Sequence, residues 1–157
     1  MTDAHPPCRF KFEPSPWHSV ALLLVGLAIF GPASAQPHRA CTREDQHLAP
    51  KSVDMIGNWR QAYDSFRRYG HCDDGAVAEG YSDKIVGLLV DHWESFGELS
   101  KLSHAHPEFE RFVIKHVDML MSPDESRTII ENAQRHCPAK ARALCNKLEQ
   151  KARNPDE

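Results

Sequence analysis

Three histidines stand where an apolar residue would be expected on a helix. At 100° per residue, His92 continues the stripe of Tyr81, Ile85 and Leu88. His116 falls among Phe109, Phe112, Val113 and Leu120, and His136 follows Ile129 and Ala133. Each is expected to face inward near the C-terminal half of its own helix. Imidazole ligates zinc and copper and titrates near neutral pH, so three converging rings would make a metal centre or a proton-binding switch. The simpler expectation, and the favoured one, is three separate core histidines, each with a ring nitrogen bonded to a carbonyl or carboxylate.

His104 and His106 form the one close pair. Pro107 pushes His106 towards extended backbone, where residues two apart face the same way. A weak exposed copper or zinc site is one reading of that pair, and a solvated loop the preferred one. Other reactive constellations are missing: no G-x-S-x-G, no H-E-x-x-H and no glycine-rich phosphate loop occurs. Asp91 and His92 are adjacent and so point to different sides of a helix. Cys72-Asp-Asp-Gly75 lacks the later ligands of a calcium loop and reads as a helix cap behind a disulfide. No catalytic residue, cofactor or resident metal is assigned on these grounds.

These residues need elements to carry them. Arg9 and Lys11, the uncharged run 20–30 and Ala33-Ser34-Ala35 have the layout of a cleaved secretory leader, residues 1–35. The apolar run is about half of the ~20 residues that a membrane span requires. Residues 36–51, polar and bounded by Pro37 and Pro50, read as an extended arm. Residues 52–153 read as a single helical domain, an all-α bundle of five to six helices stabilised by disulfides. The expected helices cover about 52–69, 75–93, 96–103, 107–121, 123–136 and 138 onward. Ser122-Pro-Asp-Glu125 supplies a capping box and Gly70 a helix end. Gly80 and Gly87, seven apart on one side, suggest close approach of another helix.

Cys41, Cys72, Cys137 and Cys145 form an even set in an exported chain, which favours two disulfides. If Pro138 starts a helix, Cys137 and Cys145 stand roughly 12 Å apart, too far to bridge. The expected pairing therefore joins Cys41 and Cys72 each to one of the C-terminal pair.

Charge narrows the partners. With 19 basic and 22 acidic residues and a net charge of −3, nothing points to nucleic acid or an anionic membrane surface. Trp93 and Tyr69 lie off the centres of their stripes; the margin of the core is the favoured reading, and a contact surface with a protein partner the other. In this general sense the chain resembles small exported, disulfide-containing helical proteins of bacteria, some of which bind a toxin or hydrolase outside the cytoplasm. The expected role is a periplasmic or secreted binding protein of inhibitor or immunity type, without a membrane anchor once the leader is removed. The alternatives are a metal- or pH-responsive module built on the inward histidines, and a small hydrolase.

Overall fold

The computed structural model describes residues 39–156, and the expected leader lies outside them. Every regular element among the described residues is helical. The order is α1 (Arg43–Asp54), α2 (Trp59–Tyr69), α3 (Gly75–Asp91), α4 (Phe96–Ala105), α5 (Pro107–Lys115), α6 (Pro123–Arg135) and α7 (Arg142–Arg153). Single 3₁₀ turns precede α3, α4 and α7. This is an all-α, disulfide-stabilised domain with one helix more than the upper expectation.

The additional helix is α1, and it replaces most of the expected extended arm. Thr42 caps it: its hydroxyl accepts from the Asp45 amide, while the Asp45 carboxylate reaches back to the Thr42 amide. Only Asp45, Ala49 and Val53 are buried, at a spacing of four. With so narrow an apolar stripe, and with Pro50 inside, the segment reads as polar coil. Met55 to Asn58 then break the chain before α2. Met55, expected on the buried side of a longer helix, is 72% exposed.

α3 is the central element, with Tyr81, Ile85, Leu88 and Leu89 buried. α1 packs across it at Gly80, where a Cβ would meet Val53 Cγ1 at 3.0 Å. That close approach accounts for Gly80, but a Cβ at Gly87 would meet nothing within 4 Å among the described residues. Gly70 keeps an ordinary right-handed φ of −59° and leaves room for the Phe66 ring. Positive φ occurs only at Gly75, the first residue of α3, among the described residues. The core closes with Trp59, Phe96, Leu99, Phe109 and Val113 from one side and Ile129, Leu144 and Leu148 from the α6–α7 hairpin. Tyr81 belongs to it, and burial pushes its phenol up to about 12 while Ser65 hydrogen-bonds it at 2.9 Å. No helix among the described residues is long and apolar enough to cross a membrane.

The disulfide pairing differs from the expected one. Cys41 bridges Cys72 at a Cα separation of 5.0 Å, and Cys137 bridges Cys145 at 6.2 Å. Pro138 does not begin a helix; its ψ of 140° is extended, and one 3₁₀ turn reverses the chain before α7 starts at Arg142. Cys145 thus sits in the first turn of α7 and meets Cys137 across the hairpin. The first bridge ties the start of α1 to the turn between α2 and α3.

Candidate functional site

The three inward histidines do not share a position. Only His116 is buried, at 1% exposure. His92 and His136 are exposed. All three cap the C-terminus of their helices, and His92 and His136 have left helical geometry, with φ of −130° and −118°. Beyond the last helical residue the 100° rule no longer fixes direction, so these two rings turn to solvent. His92 faces Glu94 at 3.3 Å. His104 lies in α4, exposed, while His106 stacks on Tyr63 with ring centroids 4.5 Å apart. A helical residue and a stacked residue replace the expected loop pair, and none of these five histidines joins a ligand cluster among the described residues.

His116 instead centres a buried polar network. Its Nδ1 lies 3.0 Å from Ser82 Oγ and its Nε2 3.2 Å from Asp73 Oδ2. Ser82 Oγ donates to Asp118 Oδ2 at 2.6 Å, and Lys115 Nζ donates to Asp73 Oδ2 at 2.6 Å. The serine has one proton, and its short bond to Asp118 uses it. Ser82 therefore accepts from Nδ1–H, and Asp73 accepts from Nε2–H. Burial works to raise the Asp73 carboxyl, but hydrogen bonds from His116 and Lys115 outweigh it and hold the group below its ordinary value.

Serine, histidine and aspartate in hydrogen-bonded order invite a hydrolytic reading, the second of the alternatives. Two features oppose it. Ser82 is 2% exposed in the middle of α3, and neighbouring backbone amides are spent in helical hydrogen bonds, leaving no donors for an oxyanion. The network pairs Asp73 Oδ2 with His116 and Lys115, while Asp73 Oδ1 is buried without a hydrogen-bond partner among the described residues.

The outer edge of α3 has the opposite character. Glu79, Asp83, Gly87 and Asp91 recur every four residues and so form one stripe. The three carboxylates are exposed, and none has a salt-bridge partner among the described residues. Two adjoining clefts share Asp83 and Glu125. One, of 170 Å³, is bounded by Leu120 and Met121; the other, of 310 Å³, runs past Gly87 to Ile56 and His92. Leu120 is 63% exposed and neighbouring Met119 71%. Their exposure follows from the early end of α5 at Lys115, six residues short of the expected end at Met121.

Neither aromatic candidate lines these clefts. Trp93 is half-buried, stacked on Phe96 at 4.2 Å, and its indole N–H donates to the His136 carbonyl. It fastens the α3–α4 turn to the end of α6. Tyr69 is half-buried in the last turn of α2. The acidic stripe was legible as Glu-x₃-Asp-x₃-Gly-x₃-Asp, a pattern that a search for histidines and aromatics passes over. No protein-family model, curated protein or solved structure matches the chain.

Proposed function

We propose that the chain is an exported binding protein, of inhibitor or immunity type, which holds a cationic segment of a protein partner along the outer edge of α3. The observation that carries this is the row of Glu79, Asp83 and Asp91, exposed and without a salt-bridge partner among the described residues, beside exposed Leu120 and Met119. Glu79 and Asp83, exposed and one turn apart, repel one another mildly, and a partner's Lys or Arg side chains relieve that. Gly87 leaves a gap between Asp83 and Asp91 in which an added Cβ would touch nothing within 4 Å among the described residues, so a partner side chain can sit against the helix backbone. The aliphatic rim supplies the apolar contact that charge alone does not. Two disulfides and the leader-like residues 1–35 support an oxidising compartment.

A fluorescent peptide alternating arginine with leucine is the probe. It is expected to bind saturably at one site, more weakly as salt is raised, and about tenfold or more weakly to Asp83→Lys. Equal binding of a copy with glutamate in place of arginine, or an unaffected Asp83→Lys variant, would sink the proposal.

A further inference from the structure

A second set of donors lies where the start of α1 meets the α2–α3 turn, and it includes His71. His71 Nε2 stands 3.2 Å from Asp45 Oδ2, and both lie within 4.8 Å of Cys72 Sγ. Cys41 Sγ is bonded to that sulfur. The Asp45 and His71 side chains are only 10% and 13% exposed, yet a 370 Å³ cleft lined by Cys41, His71, Cys72 and Asp74 opens onto the histidine and the bridge. In the bridged state the sulfurs hold each other, and an imidazole and a carboxylate alone do not make a tight metal site.

We propose that reduction of Cys41–Cys72 turns this corner into a four-coordinate zinc site made of both thiolates, His71 Nε2 and the Asp45 carboxylate. The geometry fits. Zinc bonds of about 2.0–2.1 Å to nitrogen and oxygen at the tetrahedral angle place those donors about 3.4 Å apart, close to the spacing of His71 and Asp45. The two sulfurs need to separate to roughly 3.8 Å for Zn–S bonds of about 2.3 Å, which rotation of the cysteine side chains supplies. Charge fits as well: two thiolates and a carboxylate leave one negative charge around Zn²⁺, and the Arg39 guanidinium lies 3.4 Å from Asp45.

The reductant is a dithiol. One of its thiolates attacks a bridge sulfur and forms a mixed disulfide; the second closes on the first, carrying away the oxidation and leaving Cys41 and Cys72 as thiols. Zinc then displaces both thiol protons to solvent. The tie between α1 and the α2–α3 turn is thereby kept in either redox state, once by sulfur and once by metal. The site is independent of the acidic groove.

Cobalt(II) is the probe, added to full-length protein carrying Cys8→Ser, Cys137→Ser and Cys145→Ser, so that Cys41 and Cys72 are the only cysteines. After reduction by a trialkylphosphine, one equivalent is expected to give thiolate-to-cobalt charge-transfer absorption and tetrahedral visible bands. The unreduced protein is expected to give neither. His71→Ala and Asp45→Asn should each weaken binding by more than about tenfold. Lack of the charge-transfer band in the reduced protein, whether folded or not, would overturn the proposal. So would equal affinity in the His71→Ala and Asp45→Asn variants, which would mark a thiol-only adventitious ion.

Discussion

Helix α3 carries polar residues on two sides and treats them oppositely. Inward, Ser82 joins His116, Asp73 and Asp118 in a network whose charges answer one another at 2.6–3.2 Å. Outward, Glu79, Asp83 and Asp91 stand in solvent with no such partners among the described residues. A buried charge must be matched within the fold because desolvation costs several kcal/mol per ion. An exposed one is matched by water and remains free to be matched by something else. The same residue types therefore mean stability on one side of the helix and, on the proposed reading, binding capacity on the other.

The largest expected effect comes from breaking the inner side. His116→Ala removes the donor between Asp73 and Ser82 and should cost about 3 kcal/mol in denaturant unfolding. A loss below about 1 kcal/mol would mean that water replaces the ring at no cost and that the contrast is overdrawn. Acid acts on the same network. The Asp73 carboxyl is held below its ordinary value, so its contribution is complete above that value and disappears as pH falls through the lower, folded one. The melting temperature is thus expected to drop below about pH 4, and Asp73→Asn should flatten part of that slope. An unchanged slope would remove Asp73 from the account. The smallest effect separates the glycines. Gly80→Ala drives a Cβ to 3.0 Å from Val53 and should destabilise, whereas Gly87→Ala enters open space and should stabilise by up to about 1 kcal/mol. Calorimetric shifts of the same sign would show that Gly87 is not a bare place on the helix.

Much of this architecture was legible because helix ends announce themselves. Ser122 and Glu125 form the expected capping box, and Gly80 gives the expected close approach. What stayed hidden has physical causes. α1 buries only three residues along its length, too few to register as a stripe. His92 and His136 were assigned direction by a periodicity that stops one residue before them. Leu120 looked like core because α5 was expected to continue through it. Asp73 reads as part of a cap and Asp118 drew no reading; their role depends on His116 and Ser82, joined across 43 and 36 positions of chain. Two aspartates beside a cysteine say nothing of that without the fold.

The Cys41–Cys72 bridge has a further consequence. The weak point between α1 and α2, with Met55, Gly57 and Asn58 exposed, lies inside the loop which that bridge closes. A protease that cuts there opens the backbone without parting the molecule, since the two pieces stay joined through sulfur. Such a nicked protein keeps its mass until it is reduced. The exposed joint between α1 and α2 is thus one at which a cut releases nothing.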